Sequence, residues 1–241
     1  MAASIIDMLY QTFQQYRINP EFGGCEHCVS AADSRKLTDT PLRDLSSSDL
    51  AFYIAKAMTT WGTEAEFKHF LPRILELMNE DSSNLPDIEL IGGKLEYARW
   101  GRWPTAERDA ISAYFAELWE ATIDRPLCEV ELGASDSVLC TIGRAKINPK
   151  PYLATWLNRD RPFRHVHLAV FIDLNAASVR KSGKLWNSYW NAQAVEHQTV
   201  VSWLQSETVH DHVHAMKSGL PPDYQHILGE INSIVHSRQI P

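Results

Sequence analysis

The chain has 241 residues, 44% of them hydrophobic and 22% charged, and a net charge of −7. That length supports a substantial core in one large domain or two small ones. The acidic balance disfavours indiscriminate binding to nucleic acid or to anionic membranes. Four cysteines at uneven spacing do not make a disulfide framework, which points to a reducing, cytoplasmic setting.

The N-terminal run Met1-Ala2-Ala3-Ser4-Ile5-Ile6-Asp7 has no basic region and an early acid, so no secretory signal is expected there. The longest unbroken apolar run, Leu50 to Ala55, is six residues, whereas a membrane-spanning helix needs about 20.

Helical periodicity dominates the chain. Residues 4–16 carry Ile5, Met8, Leu9, Phe13 and Tyr16 at helical spacing. Leu50, Ile54, Ala57, Met58 and Trp61 predict a helix of about four turns, capped by Ser46 with Asp49 and ended by Gly62. Thr63 and Glu66 predict a second capped helix with the stripe Phe67, Phe70, Leu71, Ile74 and Met78, forming an antiparallel pair with the first. Pro72 lies inside that second helix, where it removes a donor and displaces the carbonyl of Lys68. Over about ten residues, Phe70-Leu71-Pro72-Arg73-Ile74-Leu75-Glu76-Leu77-Met78 resembles the first helix of a HEAT repeat; no second copy follows at a spacing of about 40.

Residues 105–122 predict a helix with Ile111, Tyr114, Phe115, Leu118 and Trp119 inward and Glu107, Asp109, Glu117 and Glu120 outward. Further periodic segments fall near 136–146, 151–158, 163–178, 186–205, 206–217 and 223–237. Residues 165–173 alternate as a strand does, but a lone strand in a helical chain has no pairing partner, so the segment reads as helix. Breaks at 18–24, 81–86, 124–135, 147–151 and 218–222 are all too short for a flexible interdomain linker. One helical domain spanning 1–241 is expected, with a subdivision near 125–135 as the alternative.

Cys25 and Cys28 in Gly23-Gly24-Cys25-Glu26-His27-Cys28 form half of a zinc site, and no second C-x-x-C completes it. His27, Cys128, Cys140 or a C-terminal histidine are candidates for the missing ligands. A redox disulfide or plain loop packing are the other readings of the pair. In His210-Asp211-His212-Val213-His214, a helix places His210 and His214 on one face, the i, i+4 arrangement that chelates a divalent ion. The His210-Asp211 pair resembles the adjacent ligands of HD phosphohydrolases. That pattern also needs an upstream histidine, for which His197 stands, and a well-separated downstream acid, for which only the nearby Asp223 remains. His69 and Arg73, spaced i, i+4, together with Lys56, either line an anion-holding groove between the two capped helices or cap carbonyls freed by Pro72 and face solvent.

Charge is unevenly distributed. Residues 143–184 hold Arg144, Lys146, Lys150, Arg159, Arg161, Arg164, Arg180, Lys181 and Lys184 against Asp160 and Asp173, a local +7 against −14 elsewhere. Such a segment is either a solvated face balancing acids in the fold or a local surface for phosphate or acidic groups. Gly92-Gly93-Lys94 lacks the remainder of a phosphate-binding loop, and no complete catalytic motif is present.

The order Cys25-x-x-Cys28, Thr40-Pro41-Leu42-Arg43-Asp44-Leu45, Thr59-Thr60-Trp61-Gly62 and Phe67-Lys68-His69-Phe70-Leu71-Pro72-Arg73 resembles a group of bacterial proteins with no established activity. The resemblance is specific over about residues 20–80 and marks the Trp61–Arg73 turn as a signature. It implies bacterial origin and transfers no catalytic residue. The resulting expectation is an all-α protein of stacked antiparallel helix pairs, either a HEAT-like superhelix or an irregular bundle. It is expected to hold a protein partner in a helical groove without catalysis, with Trp61 and Lys56 near that groove. A zinc-binding or histidine-based metal protein and a thiol redox protein are the alternatives. Opposite charges on different segments permit self-association.

Overall fold

The computed structural model describes residues 4–25, 27–80, 84–158 and 161–237. Glu26, Arg159 and Asp160, and the first three residues of the N-terminal run, lie outside the described residues. The fold is all-α: twelve α-helices and no strand occur among the described residues. They are α1 Ile5–Phe13, α2 Ala31–Asp39, α3 Ser47–Lys56, α4 Glu64–Glu80, α5 Glu89–Tyr97, α6 Thr105–Ile123, α7 Ala134–Arg144, α8 Lys150–Trp156, α9 Pro162–Ser182, α10 Val195–Leu204, α11 Glu207–Ala215 and α12 Ile227–Ser237. None of these is long and apolar enough to cross a membrane. The backbone groups into two compact units, Met1–Glu117 and Leu118–Pro241, with the boundary inside α6 and ahead of the 125–135 break.

In the first unit, local chemistry sets the helix starts. Ser46 accepts from the Asp49 amide at 3.2 Å while the Asp49 carboxylate accepts from the Ser46 amide at 2.9 Å, the reciprocal capping read from sequence. Thr63 and Glu66 do the same work for α4: the Thr63 amide donates to Glu66 at 2.8 Å, and the Thr63 hydroxyl accepts from Ala65 at 3.2 Å. The α4 stripe Phe67, Phe70, Leu71, Ile74 and Met78 is buried as its spacing requires.

Three features of this unit differ from expectation. The helix opened by Ser46 stops at Lys56, so Met58 and Trp61 lie beyond it, with Met58 at φ 62°. The Lys56 carbonyl receives the Thr59, Thr60 and Trp61 amides in a tight turn, and the buried ammonium of Lys94 on α5 donates to the Ala57 carbonyl at 2.8 Å. The tertiary partner fixes the stop where apolar spacing alone would continue the helix. Second, α4 packs most extensively on α1; its contact with α3 is smaller.

The third is Glu107, read as outward and found 1% exposed. It accepts from the Tyr16 hydroxyl at 2.6 Å and pairs with Lys68 at 3.0 Å. The Lys68 ammonium also lies 4.2 Å from the Trp103 ring centroid. Burial lowers the Lys68 pKa, but the bonds to Glu107 and Tyr16 outweigh it and hold the amine above its usual value.

The second unit centres on aromatic residues. Trp119 meets Trp156 edge-on at 4.9 Å, and Trp156 stacks on Trp203 at 5.8 Å and 8°. Residues 165–173 are helical within α9, where Leu168, Ala169, Val170, Phe171 and Ile172 are all buried. A helix covered on successive sides loses the 3.6-residue polarity pattern, and the residual alternation carries no strand information. Buried Arg164 at the start of α9 donates to Asp124 at 2.6 and 2.9 Å and to the Thr155 carbonyl at 2.8 Å, and also pairs with Glu120. Those bonds hold the Asp124 carboxyl below its usual range.

Candidate functional site

Two sequence signatures of the first unit, the Cys25 loop and the Thr59–Gly62 turn, meet at one junction. Gly24 and Trp61 form an antiparallel bridge in which the Cys25 amide donates to the Thr60 carbonyl at 2.9 Å and the Gly62 amide donates to Gly23 at 3.0 Å. A Cβ on Gly24 would lie 2.4 Å from the Thr60 oxygen, so the Cys25 loop requires glycine there. Trp61 is 2% exposed and stacks on Phe22 at 5.8 Å. It is therefore a packing residue of this junction, enclosed by Phe22 and Tyr53.

Cys25 is exposed, Cys28 is half-buried, and both are free thiols. The Cys28 amide donates to the Cys25 carbonyl at 2.7 Å, closing the turn between them. Cys25 lines a cleft of about 450 Å³ together with Glu21, Phe22, Thr60, Thr63 and Glu66. Burial raises the Glu66 pKa, but hydrogen bonds from the Thr63 hydroxyl and the Thr63 and Asn19 amides outweigh it and hold the carboxyl low. The cleft is thus anionic. Among the described residues no group of three or more His, Cys, Asp or Glu side chains gathers to hold a metal ion.

His69 and Arg73 act as internal ties. His69 donates from Nδ1 to the Tyr16 carbonyl at 3.0 Å, and burial lowers its pKa. Arg73 donates to the Leu45 carbonyl at 2.7 Å and to Glu76 at 2.6 Å. Lys56 is half-exposed, its ammonium 5.7 Å from the Phe52 ring centroid. Each side chain thus has its own engagement.

Half of the described basic residues of the 143–184 segment are paired with acids in place. Lys146 pairs with Glu196 at 3.4 Å, Arg161 with Asp124 at 3.5 Å, Arg164 with Asp124 and Glu120, and Arg180 with Glu230 at 2.9 Å. Lys181 and Lys184 are exposed and make no ion pair among the described residues. His210 and His214 do share a face of α11, with ring centroids 4.5 Å apart. The upstream His197 is buried elsewhere, against Leu185 and Trp190.

The most elaborately built site is one that periodicity hides. Residues 186–205 read as one helical segment, yet α10 begins only at Val195, and 184–194 is a loop following the left-handed cap Gly183 at φ 66°. Three helices grip its backbone. Asn175 on α9 accepts from the Trp186 amide at 2.8 Å, and its own amide donates to Asp136 on α7 at 3.0 Å and to the Phe171 carbonyl at 2.9 Å.

His197 on α10 accepts at Nε2 from the Leu185 amide at 3.1 Å. Facing an N–H, that nitrogen must be unprotonated, which assigns the proton to Nδ1. Burial and the Lys184 charge both lower the His197 pKa, favouring this neutral state. Arg144 on α7 donates to the Tyr189 carbonyl at 2.8 Å. The Trp190 indole lies flush on Gly143, where a Cβ would come within 2.2 Å of the ring.

Trp186 emerges from this grip 60% exposed, and Val195 at the start of α10 is 67% exposed. The loop was legible in principle. Asn187 and Asn191 each accept from the amide two residues on, at 3.0 and 3.1 Å, and such Asx turns follow from residue type. Comparison with known proteins finds no matching family model, no similar curated protein and no similar solved structure.

Proposed function

We propose that this is a non-enzymatic binding protein that holds a protein partner against the 184–195 segment, with Trp186 as the anchor. The observation carrying this reading is the contrast within one loop. Its backbone is fastened by Asn175, His197 and Arg144, while the Trp186 side chain is left largely in solvent. Exposed indole on a mobile loop would lose conformational entropy on binding; on a fixed loop that cost is met during folding. Tryptophan is also among the residues that most often dominate interface energies. Lys181 and Lys184, exposed and without ion pairs close by in sequence, favour an acidic partner segment.

The test compares quantitative affinity captures from the source organism by the wild-type chain and by Trp186→Ala, followed by titration of the recovered partner in purified form. A partner recovered specifically by wild type, weakened more than about tenfold by Trp186→Ala and weakened by added salt, is the expected result. Identical recoveries by the two proteins would sink the proposal.

A thiol redox role is the second reading, supported by the exposed Cys25 one turn from Cys28 in a solvent-facing cleft. It requires a Cys25–Cys28 disulfide that cycles at physiological potential; thiols that stay reduced throughout a redox titration remove it.

A further inference from the structure

In the second unit, α11 and α12 bring three side chains to one point. His210 Nε2 lies 2.8 Å from the Asn232 side-chain oxygen, and His214 Nε2 lies 3.0 Å from that same atom. These are hydrogen-bond distances within the chain; donors bound at about 2.1 Å to one tetrahedral ion stand about 3.4 Å apart, so opening the contacts by a few tenths of an ångström lets the three atoms share one ion. Asp211 adds the outer contact: its carboxylate is 3.1 Å from His210 Nδ1. A carboxylate in that position draws the proton to Nδ1 and leaves Nε2 with its lone pair directed at Asn232.

A neutral His210 bonded to Asp211 in this way has no proton to offer the Asn232 oxygen. Three arrangements satisfy these contacts. A second proton on His210 or an amide turned to present its NH₂ to both rings gives a latch made of protein alone; otherwise a cation enters among the three lone pairs.

We propose that His210, His214 and Asn232 form a site for one divalent transition-metal ion of the imidazole-preferring class, zinc, nickel or copper. The two Nε2 atoms and the amide oxygen are the protein ligands, with water completing the shell. Asp211 acts as a positioning residue through His210. Because the ligands come from two helices, the bound ion ties α11 to α12. The site is distinct from the Cys25–Cys28 loop and independent of the Trp186 surface.

The experiment is equilibrium dialysis of the full-length, untagged, chelator-treated protein against ZnCl₂ and NiCl₂, with thermal melts read by circular dichroism. It is repeated for a Cys25→Ser/Cys28→Ser protein to remove the thiols. About one ion per chain is expected in both backgrounds, with a higher melting midpoint in the presence of metal. His214→Ala and Asn232→Leu should each weaken binding at least tenfold, and Asp211→Asn about tenfold. Asn232→Asp, which keeps the oxygen and adds charge, should bind at least as tightly as wild type and checks that position without removing the donor. Failure of both metals to bind would overturn the proposal, as would binding that vanishes with the cysteines or survives His214→Ala and Asn232→Leu unchanged. Asn232→Asp binding more weakly than wild type would count equally against it.

Discussion

Two loops in this protein are fixed by opposite means. The Cys25 loop of the first unit is held through its backbone, paired with the Thr60–Gly62 turn, and is closed by a glycine whose missing Cβ allows the approach. The 184–194 loop of the second unit is held by side chains, with Asn175, His197 and Arg144 each reaching one main-chain group of the loop. A backbone junction tolerates any side chain that leaves room; a side-chain clamp depends on the chemistry of each gripping residue. The first should fail by steric exclusion and the second by unpairing or titration.

The largest effect expected from this contrast is at Gly24. Gly24→Val pushes new atoms into a main-chain carbonyl that cannot rotate away, and should cost about 3 kcal/mol of unfolding free energy in a denaturant titration. Gly143→Ala presents the same kind of clash to an indole. Trp190 can swing out, so stability should fall by only about 1–2 kcal/mol while Trp186-dependent binding is lost. If Gly143→Ala is as destabilising as Gly24→Val and leaves binding intact, the distinction between the two loops is wrong.

Asn175→Leu comes next. It strips the Trp186 amide and one Asp136 contact of their partner in a buried setting, and should cost about 1–3 kcal/mol by the same titration. Faster amide hydrogen exchange confined to 184–194 is the accompanying sign.

Acid should loosen the clamped loop before it disturbs the backbone junction. His69, His167 and His197 all have folded pKa values below the unfolded value of about 6.5, each with burial as the leading cause. A depressed histidine binds more protons unfolded than folded. Its contribution is therefore complete above about pH 6.5 and falls away as pH drops below that toward the folded pKa. His226, raised by Asp173, works in the opposite sense, but it is exposed and its effect is screened. Protonating His197 sets an N–H against the Leu185 amide, so the protection of Leu185 relative to its intrinsic exchange rate should fall as the pH drops below the ordinary histidine range. His197→Gln, which keeps an acceptor without titrating in this range, should flatten that response.

The smallest effect on folding is Trp186→Ala, within about 0.5 kcal/mol in thermal or denaturant melts. That near-neutrality, beside loss of partner capture, separates a display residue from a core one.

What the sequence disclosed follows the same division. Ser46 with Asp49, and Thr63 with Glu66, were legible because capping joins residues only three positions apart. The α4 stripe was legible because its periodicity is strong. Glu107 was misplaced because its partners Tyr16 and Lys68 come from distant parts of the chain, and no local pattern marks a charged residue for burial. The end of α3 was misplaced because Lys94, far along the sequence, stabilises the carbonyl at which the helix stops. Helices α2 and α5 went unread, the latter interrupted by Gly92-Gly93 in a sequence whose intrinsic helical preference is low. The gathering of His210 and His214 was legible from their spacing. Asn232, from the next helix, was not, because the packing of α11 on α12 alone brings it there.

The cysteines give the chain its own clock. Cys25 and Cys128 stand in solvent, Cys28 is half-covered, and Cys140 lies sealed within α7. A thiol reagent should therefore reach Cys25 and Cys128 first and Cys28 more slowly. Cys140 should react only as often as its surroundings open. Followed by mass spectrometry in a single sample, that last modification times the opening of the second unit while the first two time the reagent.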